Sequence, residues 1–321
     1  MGPRLLKQVR SACKTVAERA MHVQINYDLI PSYAQSLPIE KAIAPEHDAA
    51  SHYLGQNDNS ATFFLTLDTI NFGSGYFPHL HKRPGKSGYF TIAGCLNDLF
   101  KKQGPLAAEA LKQLTPEDCT LIFEQDPDCK PIGELMQLFA KALNDLGCYV
   151  QEDFNGSFRE LIKAADASAE RLMQLLIRMP YFFDVELYDK IEVPFFKRAQ
   201  LTAADLSLAF AGQGLGRFND LKNLTIFADN LVPHVLRVDS ILLYEEELGS
   251  HIDTGKLVLA GSAEEIEIRA CALYAVELLK NELVRSGHNV TSMALDFLLW
   301  NRGQQSAYKS FPRHRSRTVF Y

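Results

Sequence analysis

Polar side chains that stand alone inside apolar or aromatic runs are the residues of this sequence best suited to chemistry. Four runs contain them, and their polar members are Asp68 and Asn71, Lys197 and Arg198, Asp229, and Asp296 and Asn301. A charged group in such surroundings is either buried with a partner or lines a pocket. In a pocket, a carboxylate can serve as a general acid or a nucleophile, and a lysine can bind an anion.

Each of these residues also has a structural interpretation. Asp229 precedes an amphipathic stretch that begins near Leu231, so it can serve as the N-cap of a helix. Lys197 can extend its amine out of an aromatic patch. Asp296, with Trp300 one turn beyond it, can form a buried ion pair. The local pattern by itself favours these structural roles over catalytic ones.

The sequence contains no signature of metal or covalent chemistry. Its nine histidines include no H-E-x-x-H pattern and no group with cysteine, so no metal site is expected. The glycine-rich segment 212–220 is not followed by G-K-[ST], and no G-x-S-x-G is present. Local patterns therefore predict a helical protein with an acidic pocket lined by aromatic side chains, and nothing more specific.

The composition is that of an ordinary soluble globular protein. The 321 residues are 47% hydrophobic and 22% charged, with a net charge of −6. A chain without a basic field is not expected to bind nucleic acid directly, because DNA binding depends on Lys and Arg contacts with phosphates. Six cysteines without a C-x-x-C pair indicate reduced thiols, and no apolar segment resembles a signal peptide or a membrane span. We therefore expect a cytoplasmic protein.

Helical periodicity covers most of the chain. The predicted helices are, in order, 5–21, one that starts at Thr115, 132–146 with a stop at Gly147, a continuous stretch over 157–179 and a stretch over 262–283. The strand candidates are 185–193 and 256–261. These patterns predict a mainly α-helical fold with few short strands.

The same segments, in order, resemble the queuosine salvage protein family, the queuosine 5′-phosphate N-glycosylase/hydrolases. The matching stretches are VRSACKTVAERAMHVQIN, HYLGQNDNSATFFLTLDTINFGSGYFP, GYFTIAGCL, FFKRAQLTAADL, FADNLVPHVLR, SAEEIEIRACALYAVELL, TSMALDFLLWNRGQ and PRHRSRTVFY. They extend over nearly the whole chain apart from roughly residues 100–150. Ordered matches of this kind are more specific than any single motif.

The resemblance implies a fold similar to the helix-hairpin-helix DNA glycosylases, because GLGRFND followed by TIFADNLVPHVLR is similar to their hairpin and catalytic aspartate. It implies a single domain over residues 1–321, with two helical lobes and an active site between them as the alternative arrangement. The implied reaction is hydrolysis of queuosine 5′-monophosphate to queuine and ribose 5-phosphate, which salvages queuine for tRNA modification. No metal or organic cofactor is implied, and the expected partner is this small-molecule substrate.

The family's motifs also imply roles for individual residues. Phe227 and Asp229 match its F-x-D, in which the aspartate is the catalytic carboxylate. Asp296 and Phe297 match its base-recognition pair. The other expected substrate contacts are His52, Asn71, Phe72, Lys197, Trp300 and Asn301, which stands where many members have a second aspartate. Among them, we expect Phe72 and Trp300 to stack on the base and Lys197, with Arg198, to bind the 5′-phosphate.

These residue types suit the implied reaction. Breaking a ribosidic C–N bond builds positive charge at C1′, which a carboxylate beneath the sugar can stabilise or attack. Two other functions compete with this one: a DNA-repair glycosylase/lyase that uses Lys197 as its amine nucleophile, and a non-catalytic binder of modified nucleosides or tRNA. Asp229 argues against a binder, because base recognition gains nothing from a negative charge directed at the sugar.

Overall fold

Helices dominate the computed structural model, which describes residues 5–41, 46–55 and 57–321. The helices are α1 (Leu5–Arg19), α2 (Ile30–Ser36), α3 (Asp58–Thr69), α4 (Gly88–Gln103), α5 (Ala108–Leu111), α6 (Pro116–Ile122), α7 (Lys130–Phe154), α8 (Phe158–Ala164), α9 (Ala169–Leu176), α10 (Lys197–Ala209), α11 (Leu231–Val238), α12 (Glu246–Asp253), α13 (Ala263–Arg285), α14 (Ser292–Gly303) and α15 (Ser306–Lys309). The strands are β1 (Val23–Ile25), β2 (Val185–Tyr188), β3 (Ile191–Pro194) and β4 (Leu242–Tyr244). The prediction of a mainly α-helical fold with few short strands is confirmed. The likeness to helix-hairpin-helix glycosylases stays a prediction.

The chain divides into two compact units. Unit 1 consists of the described part of Met1–Pro45 together with Asp184–Lys197 and Lys222–Arg317. Unit 2 consists of the described part of Glu46–Phe183 together with Arg198–Leu221 and Thr318–Tyr321. The expected arrangement of lobes around an active site stays a prediction.

Unit 1 is built around α13. The Ser262 side chain accepts a hydrogen bond from the Glu265 backbone N–H, so the helix begins at the predicted cap. Helices α1, α2, α11 and α14 and strand β1 all contact it. Its buried residues therefore lie on every side, and they include Glu265, Glu267 and Arg269 as well as apolar residues. Charged groups in that position need partners within the core.

Unit 2 is built around α7, which contacts α3, α5, α6 and α8. The prediction that Gly147 stops this helix is wrong, because α7 continues to Phe154 and ends where Asn155 takes a left-handed conformation with φ of 50°. A Cβ atom at Gly147 would lie 2.6 Å from both the Ala108 carbonyl oxygen and the Lys112 nitrogen. The glycine therefore serves the close approach of α5 to α7.

The helix predicted over 157–179 is interrupted in the structure. Ser157 caps α8 as predicted, but α8 ends at Ala164. Asp166 and Ala167 then have φ values of 51° and 54°, in which a right-handed helix cannot continue. Ser168 caps a new helix, α9, by accepting from the Arg171 N–H. Apolar spacing continued through the break, which is why periodicity alone did not reveal it.

One strand prediction is confirmed and the other is wrong. Residues 185–193 contain β2 and most of β3, which pair in a hairpin whose turn residues Asp189 and Lys190 both have positive φ. Residues 256–261 contain no strand, although the Val258 N–H donates to the Arg315 carbonyl at 2.9 Å. Strands β1 and β4 were not predicted, because three residues are too few for an alternating pattern.

Two further features bear on the sequence expectations. All six cysteines are free thiols. Within the described ranges, no helix combines the length and the apolar character that a membrane span requires.

Replacing Gly147 with Ala should lower the free energy of unfolding by about 1–3 kcal/mol, because the added methyl would overlap backbone atoms of another helix. Gly133 in the same helix is the matched control, since nothing lies within 4 Å of its Cβ position. Gly133→Ala should be neutral or stabilise by up to about 1 kcal/mol. Urea denaturation of both variants measures the difference, and equal free energies of unfolding would contradict the close approach.

Candidate active site

Asp229 lies between a buried run and the first turn of α11. Its Oδ1 accepts hydrogen bonds from the backbone N–H groups of Leu231 at 2.7 Å and Val232 at 3.4 Å. Within the described ranges, its Oδ2 has no hydrogen bond, and the residue is only half-buried. The N-cap of α11 is Asn230, so the prediction of Asp229 as the N-cap is wrong by one residue. One oxygen of Asp229 nevertheless satisfies the first amides of the helix, while the second is left for solvent or a ligand.

A positive charge lies near this carboxylate. Much of the Arg313 side chain is exposed, yet enough protein surrounds its guanidinium for burial to lower its pKa. The negative charge of Asp229 opposes that shift, so the two groups attract each other. The site thus contains a cation that the sequence analysis did not single out.

The predicted base-recognition residues lie against the segment that carries Asp229. Asp296 on α14 is 4% exposed, and its Oδ1 accepts from the Phe227 backbone N–H at 2.8 Å. The rings of Phe227 and Phe297 meet edge to face, with centroids 5.9 Å apart. The structure therefore brings these three residues together with Asp229. On the following turn of α14, Trp300 is half-buried and Asn301 is exposed.

Lys197 is buried at the start of α10, where it is 5% exposed. Its backbone N–H donates to Asp184 Oδ2 at 3.1 Å. The preceding residue, Phe196, has a φ of 50°, which is an uncommon conformation for a large side chain. Strained backbone of this kind is concentrated at functional sites.

Arg269 and Asp184 connect these segments, and the sequence analysis missed both. Arg269 is fully buried on α13 and forms a bidentate ion pair with Asp184, with N–O distances of 3.0 and 2.7 Å. Its Nε donates to the carbonyl oxygen of Ala228 at 3.0 Å. The available signal was a set of charged residues at helical spacing in EEIEIRACAL, a run otherwise too apolar for a surface helix.

Three predicted contacts, His52, Asn71 and Phe72, belong to unit 2. His52 is 4% exposed, and its Nδ1 lies 3.0 Å from the Asp48 carbonyl while its Nε2 lies 2.9 Å from the Tyr89 hydroxyl. A carbonyl only accepts, so Nδ1 carries the proton and Nε2 accepts from Tyr89. Burial lowers the pKa of His52 to about 4, so the ring is neutral at pH 7.

Phe72 and Asn71 follow α3. Phe72 is 2% exposed and packs edge to face on Phe139 at 5.1 Å, whereas Asn71 is half-buried. The Arg198 guanidinium lies 4.9 Å from the centroid of the Phe72 ring. Its Nη groups donate to four backbone carbonyls, those of Asp68, Thr69, Tyr181 and Val319. Those bonds give Arg198 a structural role within unit 2.

An open pocket of about 380 Å³ in unit 1 lies elsewhere, and none of the predicted site residues lines it. Its lining consists of Arg19, Met21, Leu187, Tyr188, Asp189, Ala263 and Glu267. The Glu267 carboxylate accepts from the N–H groups of Met21, His22 and Val23 and from the Tyr188 hydroxyl. Its acceptor capacity is therefore used within the fold.

Comparison with known proteins identifies the family of this chain. The family model described as queuosine salvage protein matches residues 51–321. The chain belongs to the queuosine salvage protein family. It is 33% identical over 318 residues to a protein of Sphaerobacter thermophilus named queuosine 5′-phosphate N-glycosylase/hydrolase, covering 98% of this chain and 97% of that protein. Proteins of the same name from Dictyostelium discoideum and Mus musculus are 30% and 29% identical, each with 98% or more of both chains covered.

Membership of the queuosine salvage family confirms the resemblance found in the sequence. The roles of individual residues stay predictions. Within the described ranges, no three His, Cys, Asp or Glu side chains form a group that could hold a metal ion.

The neutral state of His52 predicts a pH dependence of stability. Because its pKa falls from 6.5 to about 4 on folding, the unfolded state binds the proton first as the pH decreases. The free energy of unfolding should therefore decrease as the pH is lowered from 6.5 to about 4, by at most about 3 kcal/mol in total. In His52→Gln this part of the loss should disappear, whereas the exposed His288→Gln should retain the wild-type profile. Urea denaturation at a series of pH values measures it, and parallel profiles for wild type and His52→Gln would show that His52 contributes nothing.

Proposed function

We propose that this protein hydrolyses the N-glycosidic bond of queuosine 5′-monophosphate and releases queuine and ribose 5-phosphate. Three observations support the proposal. The chain belongs to the queuosine salvage family, and relatives that are named for this activity align with it over nearly their full length. The third observation is that one carboxylate oxygen of Asp229 accepts backbone hydrogen bonds while the other is left for a ligand. The last observation carries the chemical argument, because the reaction needs a negative group that is held in place and still accessible.

Asp229 is the proposed catalytic carboxylate. As the glycosidic bond breaks, positive charge develops at C1′ of the ribose, and a carboxylate beneath the sugar stabilises it or attacks the carbon. The amide bonds to Oδ1 fix the side chain without consuming Oδ2. Capping and catalysis are therefore compatible in one residue, and a fixed group needs little reorganisation during the reaction.

The leaving base requires its own stabilisation. A 7-deazaguanine leaves poorly, because a carbon at position 7 cannot be protonated as the N7 of a purine can. We assign Asp296 to the guanine-like N–H groups, because a carboxylate accepts hydrogen bonds from N–H donors and Asp296 lies beside the segment that carries Asp229. Phe297 and Trp300 on the same helix are the proposed stacking surfaces, together with Phe227.

The 5′-phosphate needs a local cation, because the protein as a whole is acidic. Lys197 is the proposed phosphate ligand. Arg198 is less suited to this role than the sequence suggested, since its Nη groups donate to backbone carbonyls of unit 2. His52, Asn71, Phe72 and Asn301 remain proposed substrate contacts.

Asp229→Asn should lower kcat for queuine release by at least about a hundredfold, because the variant loses the charge that stabilises the transition state. The fold should survive, since the amide oxygen can still accept from the Leu231 N–H. Asp126 is the matched control: its Oδ1 accepts from the N–H two residues later at 2.9 Å, and it is exposed in unit 2. Chromatography of released base measures both variants.

Asp126→Asn should retain wild-type kcat. Wild-type turnover in Asp229→Asn would remove Asp229 from the mechanism. If the wild-type protein binds the nucleotide without releasing base, the non-catalytic alternative replaces the proposal.

Lys197→Gln should raise KM for queuosine 5′-monophosphate about tenfold or more, because a charge-assisted contact to phosphate is lost. The unphosphorylated nucleoside lacks that contact, so its kcat/KM should change little. The exposed Lys256→Gln serves as the control and should leave both substrates unaffected. Equal effects of Lys197→Gln on nucleotide and nucleoside would show that the phosphate is bound elsewhere.

A further inference from the structure

Arg269 is a fully buried cation, and its contacts lead to two segments of the candidate site. A guanidinium removed from water is stable only when its donors are matched by acceptors in good geometry. Asp184 supplies a bidentate partner, Glu265 lies 3.5 Å away one turn earlier on α13, and the Phe195 ring lies 3.9 Å from the guanidinium carbon. The guanidinium is therefore held in one orientation.

The Nε–H of Arg269 is directed at the catalytic segment. It donates to the carbonyl oxygen of Ala228 at 3.0 Å. That carbonyl belongs to the peptide group whose nitrogen is the amide of Asp229, so its plane sets the direction in which the Asp229 side chain leaves the backbone. The bond to Arg269 therefore restricts the rotation of that peptide plane.

Asp184, the ion-pair partner of Arg269, is hydrogen-bonded to the backbone of Lys197, the proposed phosphate ligand. Asp184 Oδ2 accepts from the Lys197 N–H, and the Asp184 carbonyl accepts from the N–H of Phe195 at 2.9 Å. These bonds close the base of the β2–β3 hairpin immediately before α10. The two members of one ion pair are thus bonded to the backbone at the Ala228 carbonyl, which precedes Asp229, and at the Lys197 amide.

We propose that Arg269, oriented by Asp184, is a positioning residue that aligns the Asp229 carboxylate with C1′ and fixes the Lys197 backbone relative to it. This inference rests on the proposed function. It assigns Arg269 no contact with substrate: its effect reaches the reaction through the Ala228 peptide. A shift of about 1 Å in a catalytic group can lower the rate about a hundredfold, so the alignment should appear in kcat.

Arg269→Lys tests the alignment, because lysine keeps the charge but cannot bond to Ala228 and form the bidentate pair with Asp184 at once. Arg10→Lys is the matched control. Arg10 is an arginine of the same unit that pairs with Glu277 of α13 at 3.1 Å and donates to the carbonyl of Asn223 at 2.8 Å. Steady-state kinetics of queuine release, affinity for the product queuine and thermal midpoints are measured for both variants.

We expect Arg269→Lys to lower kcat at least about tenfold while KM and queuine affinity stay within about threefold of wild type. Arg10→Lys should keep kcat within about twofold of wild type, even if its thermal midpoint falls as much as that of Arg269→Lys. The inference is overturned if folded Arg269→Lys retains the kcat of the control. It is equally overturned if Arg269→Lys lowers queuine affinity in proportion to kcat, since that pattern would indicate a general loss of structure in unit 1.

If Arg269→Lys does not fold, Asp184→Asn replaces it, with the same expected loss of kcat at retained queuine affinity. Failure of both variants to fold would make the pair a requirement of the fold and overturn the positioning role. The proposed function is tested separately by the wild type and Asp229→Asn. A wild type that releases no queuine refutes the function, whereas an active wild type with a normal Arg269→Lys refutes only this inference.

Discussion

The geometry of the proposed site depends on how the backbone from Phe227 to Asp229 is held. Asp296 accepts from the Phe227 amide, and Arg269 donates to the Ala228 carbonyl, so two consecutive residues are fixed by side chains from α14 and α13. The first amides of α11 then hold one oxygen of Asp229. A short irregular segment in a core would otherwise leave these backbone groups unsatisfied at a cost of about 1–3 kcal/mol each. The contacts that satisfy them also set the direction of the carboxylate.

This arrangement is compatible with both a structural role and the proposed catalytic role of Asp229. A helix N-terminus stabilises negative charge, and the first amides of α11 hold one oxygen of Asp229 in place. Cleavage of a glycosidic bond needs an oriented negative charge at C1′, so an aspartate that is held through one oxygen suits the proposed reaction. Arg313 lies within electrostatic reach of the same carboxylate, and a bound anion would enter a site where both signs of charge are already present.

Much of the fold could be predicted from the sequence, because long helices with serine or threonine caps carry strong local signals. Gly147 was misread because a glycine that permits close approach looks the same in sequence as one that ends a helix. The break after Ala164 was missed because apolar spacing continues across it. At the site, Asp229 and Asp296 were recognisable as isolated acids, whereas Arg269 and Asp184 were not, since their partners lie far apart in the chain and only folding pairs them.

The most direct test of the central claim is a crystal structure of the Asp229→Asn variant with queuosine 5′-monophosphate bound. We predict that the side-chain atom in the place of Oδ2 lies within about 3.5 Å of C1′, below the sugar and opposite the base. Its other side-chain atom should still meet the first amides of α11. A bound nucleotide whose C1′ lies beyond contact distance of residue 229, with some other acid beneath the sugar, would contradict the account.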